Sequence, residues 1–335
     1  MSASAAPSLG GRARHAALLA IEQLRAAGLL GPILAILAEI AIFGGLAPRF
    51  ATTRNFLLIA EQAMEIATLA IGQTLIILVA GIDLANGLVM VLASVVMAKF
   101  AVAGVPLVLA ILAGFAVTAG FGLVEGVLVA LIELPPFIVT LGFFNVALAL
   151  ALLISNEASI INLPPGLLAL GNNVSIGGTE FPIGVFVMLA VLLITWYALR
   201  ETAWGRHMYA LGDNAPAARL TGVRVNRVLI SAYVMAGVIY AVAALLLLGR
   251  TTVANPDAGQ TANLESITAA VIGGISLFGG RGSIVGPVLG AFIVGMLQNG
   301  LTIVGVDALY QDIAIGLLVI LAVMLDRLQR GRSVR

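Results

Sequence analysis

Residues 182–199 and 228–249 each run without a single charged side chain, and this constrains the chain more than any other feature. A hydrocarbon core about 30 Å thick is crossed by roughly 20 residues of helix. Lipid offers no partner for backbone N–H and C=O groups, so runs of this length must satisfy their own hydrogen bonds as helices. Barrel strands would alternate apolar and polar residues over about ten positions; these runs do not, and a β-barrel is excluded. With 61% apolar and 10% charged residues among 335, the chain carries more oily surface than a soluble domain of this size could bury. Apolar run length predicts spans over 29–46, 57–80, 84–103, 105–131, 135–154, 182–199, 228–249, 264–280, 284–304 and 309–325. The expected fold class is an all-α, polytopic transmembrane helix bundle of about ten spans.

Formal net charge is only +1, yet twelve of the seventeen Lys and Arg gather in three clusters. They are Arg12, Arg14 and Arg25; then Arg200, Arg206, Arg219, Arg224 and Arg227 in a central loop over 200–227; then Arg327, Arg330, Arg332 and Arg335. Cations flanking spans stay on the cytoplasmic side. An even number of crossings with both termini inside places every cluster there and leaves Arg49, Arg54 and Arg250 outside. The expected organisation is a cytoplasmic leader over 1–28, a transmembrane domain over 29–326 and a basic cytoplasmic tail over 327–335. No short apolar core with a cleavage site precedes the first span, so a removed signal peptide is not expected. The loop over 155–181 carries Asn, Gly, Pro and two Glu and faces out.

Glycines suggest an internal repeat. Gly81, Gly87, Gly126 and Gly142 echo Gly280, Gly286, Gly300 and Gly316, with first and last spacings of six and sixteen residues in both halves. Duplication of this kind is common in transporters.

Gly81-Ile82-Asp83-Leu84-Ala85-Asn86-Gly87 interrupts two oily spans. At membrane depth such a break needs protein or water over its backbone; on a cytoplasmic surface it would be a hairpin in which Asp83 caps the next helix. The residues leave both readings open. Pro135-Pro136 opens the fifth span, where proline fits the first helical turn. The shortest span, 264–280, holds Gly273-Gly274 and Gly279-Gly280 ahead of Arg281, a pattern of close helix packing. Glu61 and Glu65 lie one turn apart near the start of span two, where interfacial solvation or pairing with Arg54 would accommodate them. Polar groups inside spans are functional candidates by default: Gln73, Asp83, Asn86, Glu125, Asn145, Gln298 and Asn299 are the candidates for a substrate pathway, with interhelical hydrogen bonding the plainer role for several.

No covalent chemistry is legible. The chain lacks cysteine, a GxxxxGK[ST] loop and an HExxH pair, and its two histidines are His15 and His207; no catalytic residue and no metal site is expected. Driving energy must come from an ion gradient or from another polypeptide.

The central loop reads Gly205-Arg206-His207-Met208-Tyr209-Ala210-Leu211-Gly212-Asp213-Asn214, then Ala215-Pro216-Ala217-Ala218-Arg219-Leu220-Thr221-Gly222-Val223. It resembles the cytoplasmic loop of the permease subunits of bacterial ABC sugar importers of the ribose, xylose and fructose type. Similar to that family as well are Gly81-Ile82-Asp83-Leu84, the run from Pro136 to Gly142, Asn255-Pro256 with Gly259, and Ala270-Val271-Ile272-Gly273-Gly274 leading to Ser276-Leu277-Phe278-Gly279-Gly280-Arg281-Gly282-Ser283. These occur in the family's order from about residue 53 to 325. The chain departs from the pattern at Ala85, Asn86 and Leu148-Ala149-Leu150, and Glu61 and Glu65 match no family position.

The resemblance implies a permease that moves a monosaccharide across the bacterial inner membrane by alternating access. It implies a cytoplasmic ABC ATPase subunit, a periplasmic or extracellular solute-binding protein and a second permease copy or paralogue as partners, and no nucleic acid. ATP and Mg belong to the ATPase, and this chain binds no cofactor. It further implies that Asn214, Ala217, Ala218, Arg219 and Gly222 form a coupling helix seated on the ATPase; the plainer reading is a basic loop that sets topology. Permeases for branched-chain amino acids or nucleosides are the nearest alternative. An ion-coupled secondary transporter using Glu61, Glu65 or Asp83 is the other.

Overall fold

A computed structural model describes residues 28–333; Arg12, Arg14 and Arg25 of the expected leader, and Arg335, lie outside the described residues. Helices dominate: α1 Leu30–Leu46, α2 Thr53–Leu78, α3 Asn86–Val102, α4 Leu107–Leu131, α5 Pro136–Ser155, α6 Ile183–Glu201, α7 Ala203–Asp213, α8 Ala215–Leu220, α9 Val225–Thr251, α10 Ala262–Ile272, α11 Val285–Val304 and α12 Ala308–Ser333. The polar loop between α5 and α6 folds partly into a hairpin, β1 Asn173–Ile176 against β2 Thr179–Pro182. Gly177 and Gly178, at φ +60° and +82°, supply its two-residue turn. No alternating pattern in the sequence had suggested this hairpin.

Local signals account for several helix starts. Thr52 caps α2 by accepting the Asn55 N–H at 3.3 Å, and Thr202 caps α7 by accepting the Gly205 N–H at 3.3 Å. Pro136 sits in the first turn of α5 as expected, where no intrahelical partner is lost.

Two helices form the centre. Residues 63–78 of α2 and 86–98 of α3 are buried on every side, as befits helices apolar all round. Helix α9 packs along both α4 and α2; α10 and α11 flank α2; α3 is held between α4 and α5. The α4–α9 crossing is a backbone contact, because the place of a side chain on Gly122 is taken by the Tyr233 carbonyl and on Gly237 by the Thr118 carbonyl. Small residues permit such approach in membranes. The periphery is different: the apolar windows of α4 and α5 are each 22% buried, against 67% for α2. Leu109, Leu153, Leu193 and Ile194 project outward. Surfaces this oily suit lipid rather than water.

Among the described residues, ten apolar helices stand where the sequence places spans, but six are long and apolar enough to cross a membrane alone. Leu30–Leu46, Asn86–Val102, Ala262–Ile272 and Ala308–Leu321 fall short, so ten full crossings are not established. The expected span over 264–280 is revised most. Its helix, α10, has 11 residues, about 16 Å of rise, and the rest is a turn in which Gly274, Gly279, Gly280 and Gly282 take positive φ.

Candidate functional site

The break between α2 and α3 organises the polar interior. Helix α2 stops at Leu78, Ala80 adopts φ +62°, and the Gly81 N–H returns to the Ile76 carbonyl at 2.9 Å. Asp83 is 1% exposed. Its Oδ1 accepts the Ala85 N–H at 2.8 Å and its Oδ2 accepts the Tyr240 hydroxyl at 2.9 Å. Asp83 therefore does order the turn into α3, yet the turn is covered by protein and is no exposed hairpin. Thr140 of α5 donates to the Ile82 carbonyl at 3.1 Å and Asn263 of α10 to the Leu84 carbonyl at 3.1 Å, so the neighbouring helices satisfy the broken backbone.

An amide seam lies one turn deeper. The Gln73 and Asn86 amides are 2.8 Å apart, and Asn86 Nδ2 donates to Ser266 Oγ at 2.8 Å. Turned about its amide axis, Gln73 donates to the Asp83 carbonyl at 3.1 Å and accepts the Asp83 N–H at 3.2 Å. Beside the seam, Glu125 of α4 is 3% exposed and its Oε1 has no hydrogen-bond partner. Tyr233 and Tyr240, two turns apart on α9, complete the group; the Tyr233 hydroxyl also lacks a partner. Both phenols interact electrostatically with Asp83 and Glu125. Of the sequence candidates, Gln73, Asp83, Asn86 and Glu125 thus come together. Tyr233, Tyr240, Asn263 and Ser266 were missed, although two tyrosines seven residues apart in an aliphatic span were a usable signal.

The other candidates lie elsewhere. Asn299 Oδ1 accepts from Asn55 Nδ2 at 2.9 Å, about 27 Å from Gln73 along α2. Gln298 is half-buried beside it, and Asn145 is exposed on the outside of the bundle, donating to the Leu141 carbonyl of its own helix at 3.3 Å. Near the Asn55 end a cavity of about 1050 Å³ is lined by Arg49, Arg54, Asn55, Glu61, Asn173 and Glu180 among others. Glu65 is not paired with Arg54. It meets Arg250 in a two-pronged bridge, Nη2 to Oε1 at 2.7 Å and Nε to Oε2 at 3.0 Å.

At the opposite end, α7 and α8 form an elbow against the break. Gly212 has no room for a side chain beside the Leu78 carbonyl and Gly280; the Gly280 N–H itself donates to the Leu78 carbonyl at 3.0 Å. Tyr209 donates to the Gly282 carbonyl at 2.9 Å, and Asp213 lies 3.7 Å from Arg281. Burial pushes the Tyr209 phenol above its ordinary value, so it stays a donor. Asn214 caps α8 by accepting the Ala217 N–H at 3.0 Å. Ala218 faces inward, Arg219 outward, and Gly222 ends the segment at φ +88°, the left-handed geometry a glycine permits. Pro216 and Ala217 are exposed, and Leu220 is 90% exposed.

Residues 55–323 match the family described as "Branched-chain amino acid transport system / permease component". The chain is 45% identical to the fructose import permease protein of Rhizobium meliloti, over 88% of the chain and 83% of that protein. It is 37% identical to the ribose import permease protein of Bacillus subtilis, over 89% of the chain and 92% of that protein. Identity is also 37% to the D-allose transport system permease protein of Escherichia coli, over 88% of the chain and 90% of that protein. No solved structure matches the chain.

Proposed function

The chain belongs to the branched-chain amino acid transport system permease family, among its ABC sugar-import permeases, and from that premise we propose how it carries a monosaccharide inward. The observation that carries the reading is the elbow: α7 donates from Tyr209 to the Gly282 carbonyl and packs through Gly212 against the Leu78 carbonyl at the inner end of α2, and α8, with Ala217, Ala218 and Arg219 between the Asn214 cap and Gly222, follows it directly. A push on α8 reaches the break at Asp83 through α7. The partner that pushes is a cytoplasmic ABC ATPase, which holds the ATP and Mg. The exposed apolar triad Pro216, Ala217 and Leu220 is its seat, since such a face in water calls for a partner.

The opposite cavity, about 1050 Å³ with Arg49, Arg54, Glu61 and Glu180 on its wall, is the outer vestibule where a solute-binding protein delivers its cargo. Between the two lies the amide and hydroxyl seam of Gln73, Asn86, Asn263 and Ser266. Neutral donors and acceptors of this kind match sugar hydroxyls, and among the described residues no cation bonds to the seam to invite an anionic substrate. Two copies work as a pair in the bacterial inner membrane, with both termini in the cytoplasm. Movement is alternating access, in which nucleotide binding closes the ATPase pair and the elbow shifts the central helices.

Uptake of labelled fructose, ribose and allose in cells with and without the gene tests the substrate class. A defect confined to one or more of these sugars is expected. Uptake of all three unchanged would contradict the monosaccharide reading.

A further inference from the structure

The Glu65–Arg250 bridge has an empty carboxylate directly above it. Glu61 and Glu65 are four residues apart on α2, which sets their Cβ atoms about 6 Å apart on one face of the helix. Glu65 is occupied, its Oε1 taking Arg250 Nη2 at 2.7 Å and its Oε2 taking Nε at 3.0 Å. Glu61 makes no ion pair among the described residues and lines the outer cavity. Glu265 of α10, another acid near Arg250, already accepts the Thr261 hydroxyl at 3.1 Å. The bridge also marks where open space ends. Helix α2 lines the cavity through Asn55, Leu57, Leu58 and Glu61, whereas from Ala63 to Leu78 it is buried on every side. Gln73 of the amide seam lies about 12 Å further along α2 than Glu65.

We propose that Glu61 and Glu65 are two seats for one guanidinium: Arg250 on Glu65 holds the path shut beneath the outer cavity, and its transfer to Glu61 opens that path. A poorly solvated ion pair is a weak stabiliser compared with apolar residues of the same volume, and its best-attested use is to select between registers. The Arg250 side chain is 32% exposed, so it is not sealed in place, and its long stem carries five donors in a planar fork that fits a carboxylate one turn away as well as the present one. Charge is conserved in the exchange, since one carboxylate is paired and one free in either position. The free carboxylate must meet water. In the closed position it is Glu61, at the cavity wall; in the open position it is Glu65, so water has to follow the guanidinium's departure down to that level. That this space is a sugar path rests on the transporter reading; the two-seat exchange does not.

The chain has no cysteine, so a single introduced thiol reports on this level without background. Leu69 is fully buried, one turn deeper than Glu65 on the same face. Leu69→Cys is exposed to a membrane-impermeant maleimide from outside, in intact cells that carry the complete transporter. Labelling is expected to be severalfold faster when Glu65→Gln is added, because the guanidinium is driven to Glu61, and severalfold slower when Glu61→Gln is added, because only the closed seat remains. A bridge that merely staples two helices gives no such opposition of sign. Rates that change in the same direction in both variants, or in neither, overturn the proposal, as does a Leu69→Cys thiol that is never labelled. Glu61→Gln leaves the bridge intact, so an unchanged rate in that variant alone is decisive should Glu65→Gln misfold. Labelling that responds as expected in cells whose wild-type chain imports no sugar would sink the transporter reading alone.

Discussion

Glu65 and Arg250 are 185 residues apart in the chain and meet in a two-pronged bridge, with side-chain exposures of 8% and 32%. Removing either partner strands the other where solvation is poor, which costs about 3 kcal/mol. Glu65→Ala and Arg250→Ala are each expected to lower stability by about that much, and the double variant by less than the sum. Thermal unfolding in detergent measures this, and two neutral single variants would show that the bridge holds nothing. Asn86 has a different stake, since it joins Gln73 to Ser266 at 2.8 Å on each side. Asn86→Ala is expected to raise the KM for sugar uptake more than it lowers the maximal rate; an unchanged KM would remove the seam from the pathway. Sequence marked Glu65, Gln73, Asp83, Asn86 and Glu125 as misplaced in oil, because a polar group in an apolar run is visible locally. It could not mark their partners. Arg250, Tyr240 and Ser266 lie more than 150 residues from the groups they bond, and no spacing rule spans such a distance.

At the scale of elements, α8 is the piece that the proposed coupling has a partner touch. It is six residues long, too short to be stable unaided, and is held by its Asn214 cap and by Ala218 turned inward. Leu220→Asp should leave the bundle folded and abolish co-purification of the ATPase; undiminished co-purification would displace the docking face from α8. Gly212→Val has the opposite character, because a side chain there collides with the Leu78 carbonyl. It is expected to preserve ATPase association and lose transport, read as ATP hydrolysis without uptake. The loop bearing α7 and α8 was legible from its motif. The short length of α10 was not. Its apolar run continues past Ile272 into a turn whose residues are equally hydrophobic, and hydropathy alone does not distinguish a helix from a covered turn. The glycine pairs at 273–274 and 279–280 were the available sign, and they read equally well as packing positions. The repeat has a structural counterpart at its start, since Gly87 and Gly286 are each the second residue of a helix that follows a glycine-bearing break.

The whole molecule is an inner set of helices, α2, α3, α9, α10 and α11, wrapped by α1, α4, α5, α6 and α12. Its polar contacts concentrate at two ends and one seam. The apolar runs made the bundle legible, because hydrocarbon length and backbone satisfaction leave few solutions. Which helices are central was not legible, since inner and lipid-facing spans are similarly oily. The chain has no phosphate loop of its own, and in the proposed reading force arrives through the elbow. Transport should fail when the partner ATPase's phosphate loop is mutated and persist when the ion gradient is collapsed. The most direct measurement uses the purified chain in sealed vesicles, with sugar uptake followed with and without the ATPase subunit, the binding protein and ATP. Uptake only in the complete mixture is the expected result. Uptake by the chain alone, driven by a proton or sodium gradient, would contradict the account.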